Sequence, residues 1–138
     1  MKNIVMLSFA LVIMLGSISC NAQDTKKQST KQTSVSGKIE AYYFHFSARC
    51  VTCKAVEAEA KADVESLYPG KITFRAVNLD DASNKTLAEK LQISGQTLLI
   101  VKGSQKINIT NEGFMYAKSN PEKFKSIIKE KIDGLAKL

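Results

Sequence analysis

Tyr43-Phe44-His45-Phe46-Ser47-Ala48-Arg49-Cys50-Val51-Thr52-Cys53-Lys54 is the stretch that decides the fold. The run leading into it, Ile39 to Phe46, is rich in aromatic residues and apolar nearly throughout. That pattern suits a central strand covered on both faces. The run breaks at Ser47-Ala48-Arg49 and delivers two cysteines, two residues apart, to the first turn of a helix expected over Cys50 to Tyr68. Cys53, Val56, Ala60, Val64 and Leu67 recur at helical spacing and form one apolar stripe, with Lys54, Glu57, Lys61 and Glu65 outside it. Pro69-Gly70 stops this helix.

The position of the cysteines carries chemistry. A thiolate at a helix N-terminus is stabilised by unpaired N–H groups and by the positive end of the helix dipole. Arg49 adds a cation beside it. Cys50 precedes the helix proper and is expected to be exposed, whereas Cys53 lies on the apolar stripe. Cys50 is therefore the expected nucleophile and Cys53 the resolving thiol. A purely structural bridge fits poorly, because a disulfide over two intervening residues closes a tiny loop and removes little chain entropy.

Working outward, 138 residues allow one domain with an ordinary core. The net charge of +7 belongs mostly to the N-terminal part. Residues 1–38 hold five lysines (Lys2, Lys26, Lys27, Lys31, Lys38) against Asp24, which leaves 15 basic and 12 acidic residues for 39–138. No Arg-rich patch is interleaved with aromatic residues, so nucleic-acid binding is not expected.

Residues 1–20 read as a signal peptide: Lys2 gives a positive start, the twelve residues from Ile4 to Leu15 an apolar run, and Gly16-Ser17-Ile18-Ser19 a mostly small-residue stretch. The run is too short to span a bilayer comfortably. Cleavage after Ala22 by ordinary signal peptidase and a lipobox reading of Ser17-Ile18-Ser19-Cys20, with Cys20 lipidated, both remain open. Residues 21–38, mostly Gln, Ser, Thr and Lys, read as a flexible polar linker, and 39–138 as the folded domain. The expected location is extracytoplasmic, in a bacterial periplasm or facing it from a lipid anchor. Membrane contact is expected only through Cys20. In either case the domain keeps only Cys50 and Cys53, and outside the cytoplasm such a pair favours disulfide exchange over zinc.

Further along, Lys71 to Leu79 reads as a second strand, with Ile72, Phe74 and Ala76 alternating with Thr73, Arg75 and Val77. Asp80-Asp81-Ala82-Ser83 offers caps for a second helix, with Leu87 and Leu91 facing inward and Ser94-Gly95 at its end. Thr97 to Val101 is a third strand, and Lys102 to Gln105 turns into a fourth at Lys106 to Thr110. Asn111 to Ser119 reads as irregular, anchored by Phe114, Met115 and Tyr116. Asn120 caps a last helix that has Pro121 at its first position and Phe124, Ile127, Ile128, Ile132 and Leu135 on its buried face.

The order β-α-β-α-β-β-α makes the first two strands parallel neighbours and the last two a hairpin. A strand feeding Cys50-Val51-Thr52-Cys53-Lys54 at a helix start, this element order, and Thr97-Leu98-Leu99-Ile100-Val101 as third core strand together resemble the thioredoxin-like superfamily over roughly residues 39–138. The resemblance implies an α/β thioredoxin fold, with a central mixed four-stranded sheet flanked by helices, and protein thiols or disulfides as partners. A narrower likeness, Tyr42-Tyr43-Phe44-His45 followed by Arg49-Cys50 and Cys53, is to small thioredoxin-like proteins grouped with aromatic nitro-compound reduction. Three positions depart from the superfamily pattern. Arg49 replaces an aromatic residue before the first cysteine, and Phe44 falls where a buried acid is usual. Gln96, before Thr97, stands where a cis-proline faces the cysteine pair. A cis bond before a non-proline residue costs about 2.5–4 kcal/mol, so the Gly95–Gln96 bond is expected to be trans, and the substrate-gripping loop at Gln96 and Thr97 to be shaped differently.

His45, the only histidine, reads as a satisfied sheet residue, with a proton-transfer or metal-ligand role as the alternative. Cys50, Cys53 and His45 together fall one short of a closed structural zinc shell. No cofactor is implied. Three functions are compatible with these residues: an exported thiol–disulfide oxidoreductase, an electron-relay subunit for one dedicated partner reductase, and a thiol-based metal-binding module.

Overall fold

The computed structural model describes residues 37–138. The expected signal peptide, Cys20 and the linker up to residue 36 lie outside the described residues. β1, Ile39–His45, is the strand on which the sheet is built. It pairs in parallel with β2, Thr73–Asn78, and antiparallel with β3, Thr97–Lys102. β4, Gln105–Asn108, completes the sheet as an antiparallel partner of β3, giving the order β2-β1-β3-β4. The parallel pair is joined by α1, Val51–Leu67. A short 3₁₀ turn, Ala82–Asn84, and α2, Lys85–Leu91, lead from β2 to β3. After β4 come α3, Thr110–Tyr116, and α4, Pro121–Ala136.

Strand alternation sorts the apolar residues into two layers. Ile39, Ala41 and Tyr43 of β1, with Leu98 and Ile100 of β3, face Val56, Ala60 and Val64 of α1 and Phe124, Ile128 and Ile132 of α4. Tyr42 and Phe44, with Leu99 and Val101, face the other way, toward Val77 and Ala88, with Leu87 and Leu91 packed at the edge. β1 and β3 are thus covered on both sides, which is why they read as nearly continuous apolar runs. This is the mixed four-stranded α/β sheet that the resemblance implied.

Three local expectations are corrected. The stretch after β4 is helical, and its anchors are not Phe114 and Met115, which are 38% and 59% exposed. The inward positions are Ile109, Gly113 and Ala117. Gly113 lets α3 lie close on its neighbours: a Cβ there would meet Val56 Cγ1 at 2.9 Å and Phe124 Cζ at 3.4 Å. The second helix stops at Leu91, before Ser94-Gly95, because Gln92 takes a left-handed conformation with φ of 60°. The fourth strand ends at Asn108, whose carboxamide oxygen accepts from the Thr110 N–H at 3.0 Å and turns the chain into α3. The last helix begins as expected, with Asn120 accepting from Lys123 N–H and Pro121 in the first turn.

Candidate functional site: a disulfide at the start of the first helix

β1 ends at His45, and the loop Phe46 to Arg49 carries the chain from the C-terminal end of this central strand to α1. Two hydrogen bonds hold that loop to the end of β2. Ser47 N–H donates to Asp80 Oδ2 at 2.7 Å, and the Asn78 side-chain amide donates to Ser47 Oγ at 3.0 Å. The Ser47 contacts hold the Asp80 carboxyl below the usual carboxylate range. The loop is therefore tied down before the cysteines begin.

Cys50 is the N-cap of α1, and a disulfide joins it to Cys53 across a Cα–Cα distance of 5.1 Å. Its Sγ accepts the Cys53 N–H at 3.1 Å, so sulfur takes the place of the usual capping oxygen. Lys54 N–H donates to the Cys50 carbonyl at 3.1 Å and closes the first helical turn. The two sulfurs differ in access, as the apolar stripe implied: Cys50 is exposed and Cys53 is 6% exposed. Val51, 74% exposed, stands beside Cys50 and leaves an apolar approach to it. Burial together with the helix end makes a thiolate at position 50 accessible and stabilised by an N–H, while position 53 is shielded behind it.

Arg49 and Glu57 form an ion pair, each side chain about three-quarters buried. The guanidinium next to Cys50 thus shares its charge with a carboxylate two turns into α1. Behind the pair, the Tyr43 hydroxyl donates to the carbonyl oxygen of Cys53 at 2.9 Å and accepts from the Gln96 side-chain amide. Burial pushes the Tyr43 phenol above its ordinary value, with the Gln96 hydrogen bond acting against it, so at neutral pH it remains a donor. Gln96 therefore reaches the cysteine helix through Tyr43, and the Gly95–Gln96 bond is trans, as expected for a non-proline residue. Thr97 Oγ1 turns back to the Gly95 carbonyl at 3.0 Å and makes its bond within its own loop. Phe44, at the position of the missing acid, lies in the opposite apolar layer from α1.

His45 is buried, and its Nδ1 lies 2.9 Å from the Phe46 carbonyl oxygen, which makes that nitrogen the donor. Among the described residues, no group of three or more His, Cys, Asp and Glu is placed to hold a metal ion. His45 and the two cysteines are thus not brought together as such a group. A cleft of about 370 Å³ opens beside Phe46, Leu79, Lys85 and Ile93, and neither cysteine lines it.

Sequence reasoning missed Tyr43 and Glu57 as members of this site. Tyr43 had a readable signal, since the period of two puts it in the same row as Ala41, on the face that α1 covers. Glu57 lies one turn beyond Cys53, but nothing in the spacing distinguishes it from the other charged residues of α1.

No family model and no curated relative matches the chain. Solved structures similar to it include Trxlp from Edwardsiella tarda, at 17% identity over 74% of this chain and 92% of that one, with a TM-score of 0.50. Thioredoxin O2 from Arabidopsis thaliana in its oxidised state matches at 20% identity over 68% and 75%, with a TM-score of 0.46. Thioredoxin O1 from the same plant, also oxidised, matches at 19% identity over 72% and 84%, with a TM-score of 0.47. The likeness is one of fold: the chain has a thioredoxin-like fold, with its cysteine pair at the start of the first helix.

Proposed function

We propose that the domain is a thiol–disulfide oxidoreductase that cycles Cys50 and Cys53 between dithiol and disulfide. The observation that carries this reading is the bonded pair at the N-terminus of α1, with Cys50 exposed and Cys53 buried. In the reducing direction, the Cys50 thiolate attacks one sulfur of a partner's disulfide, forms a mixed disulfide and expels the other partner sulfur as thiolate. Cys53, deprotonated, then attacks Cys50 Sγ, forms the intramolecular disulfide and releases the second partner thiolate. Two electrons pass to the partner, and the two thiol protons of the domain are given up. Turnover requires a reducing dithiol or glutathione to return those electrons; run backward, the same steps oxidise a partner.

The partners in this reading are protein thiols or disulfides outside the cytoplasm. The domain acts free in the periplasm or from a lipid anchor at Cys20. The Gln96 loop favours a narrower version, an electron-relay subunit serving one dedicated partner, because the proline that faces the cysteines elsewhere in this fold is absent. Titrating the domain with glutathione buffers tests the chemistry, and insulin reduction tests its breadth. The reading expects a reversible two-electron transition, lost in Cys50→Ser and in Cys53→Ser. A pair that stays oxidised or stays reduced across the whole accessible range of glutathione ratios defeats it.

A further inference from the structure

Two residues from different parts of the chain meet behind the cysteine pair. Tyr43 is fully buried in β1, opposite Leu98 of β3. Gln96 belongs to the loop that enters β3, and its amide donates to the Tyr43 hydroxyl, which donates in turn to the carbonyl of Cys53. Cys53 is the third residue of α1. The N–H groups of a helix's first turn have no acceptor within the helix, and helix ends fray unless something holds them. The acceptor of the Cys53 N–H is Cys50 Sγ, at 3.1 Å.

We propose that Tyr43 and Gln96 are positioning residues for thiol–disulfide exchange: their hydrogen-bond chain fixes the Cys53 backbone so that its N–H stays aimed at Cys50 Sγ when that sulfur becomes a thiolate. The proposal rests on the oxidoreductase reading above. A hydrogen bond to a charged acceptor is stronger than one to a neutral acceptor. The N–H of Cys53 therefore stabilises the reduced thiolate form more than the disulfide seen here. Loosening the anchor costs the reduced state more and shifts the pair toward the disulfide. Gln96 acts only through the Tyr43 hydroxyl, so its effect disappears when that hydroxyl is gone. A Tyr43 that merely fills the core predicts something else, because its ring packs the same with or without the oxygen.

The experiment compares wild type, Tyr43→Phe, Gln96→Met and the double variant by three readouts. These are the equilibrium constant with glutathione, the rate of Cys50 alkylation by iodoacetamide across pH, and denaturant unfolding of the oxidised protein. Tyr43→Phe is expected to shift the glutathione equilibrium toward the disulfide by about threefold to tenfold, the effect of one lost hydrogen bond. It should also slow Cys50 alkylation at neutral pH by a similar factor. Gln96→Met should move both readouts in the same direction by less, and the double variant should match Tyr43→Phe alone. If Tyr43→Phe folds poorly, Gln96→Met carries the same test from a half-buried position. Variants that lose stability while equilibrium and alkylation stay at wild-type values overturn the proposal and leave the oxidoreductase reading standing. A wild type that never equilibrates with glutathione overturns both.

Discussion

Replacing Asp63 with asparagine should stabilise the domain, and only above a definite pH. Asp63 falls on the buried stripe of α1 and is 6% exposed. Its Oδ2 has no hydrogen-bond partner, and its Oδ1 lies 3.9 Å from Lys125 Nζ on α4. Burial raises its carboxyl from the ordinary 3.8 to about 6, with Lys125 opposing the rise and Glu59 and Glu122 adding to it. A carboxyl whose folded value lies above its unfolded value binds its proton more tightly when folded. Its cost to stability is therefore absent below 3.8, grows as pH rises toward about 6, and is constant above that. The gap corresponds to a penalty of about 3 kcal/mol at neutral pH. Asparagine recovers only part of it, because its buried amide needs partners and Lys125 loses its counter-charge, so the expected gain is about 1–2 kcal/mol. For a domain of this size that is about 5–10 °C in Tm. Denaturant melts of both proteins from pH 3.5 to 8 provide the assay, and carboxylates common to both cancel in the difference. At the acid end, where Asp63 is protonated and carries no charge penalty, Asp63→Asn should be the less stable protein by about 1–2 kcal/mol, and the difference should reverse sign between 3.8 and about 6. A variant that is less stable at pH 7.5, or a difference that does not change with pH, would rule out a buried-charge penalty at Asp63.

Three further outcomes follow from particular contacts. Gly113→Ala should destabilise by about 1–3 kcal/mol despite alanine's better helix propensity, since its Cβ meets Val56 Cγ1 at 2.9 Å. Adding Val56→Ala should recover part of that loss on thermal melting, and a single variant as stable as wild type contradicts the packing argument. Gln92→Gly should stabilise by about 0.5 kcal/mol, because glycine takes the left-handed position at the end of α2 without the penalty of a side chain; a lower Tm would count against this. Glu57→Gln removes the carboxylate that holds Arg49, so reduced Cys50 should alkylate faster at neutral pH. An unchanged or slower rate would mean that Arg49 does not act on the thiolate.

The fold could be read from the sequence because its two central strands are buried on both sides. Ile39 to Phe46 and Thr97 to Val101 are apolar nearly throughout, and Pro69-Gly70 and Pro121 mark helix boundaries directly. α3 was not legible, because its inward positions are Ile109, Gly113 and Ala117, with the large apolar residues Phe114 and Met115 outside. A glycine chosen for close approach to Val56 and Phe124 looks, in sequence, like a loop glycine. The end of α2 falls before Ser94-Gly95 because Gln92, with nothing in its side chain to mark it, takes the left-handed conformation. At the site, the two cysteines and their difference in burial followed from helical spacing alone. Tyr43 and Glu57 did not, since their roles depend on a Gln96 contact and an Arg49 pair that link residues far apart or on different elements. Asp63 was readable in principle: it lies three residues after Ala60 and seven after Val56, a charge on an apolar stripe.

In the proposed cycle Cys50 leads the exchange and Cys53 resolves it. The most direct test incubates reduced Cys53→Ser and reduced Cys50→Ser with glutathione disulfide at neutral pH and follows adduct formation by intact-mass and peptide mass spectrometry. The geometry of an exposed Cys50 accepting the Cys53 N–H predicts a stable mixed disulfide on Cys50 in the first variant, formed quickly, with Cys53 in the second variant reacting much more slowly. Equal rates at the two sulfurs, or a faster reaction at Cys53, would contradict it.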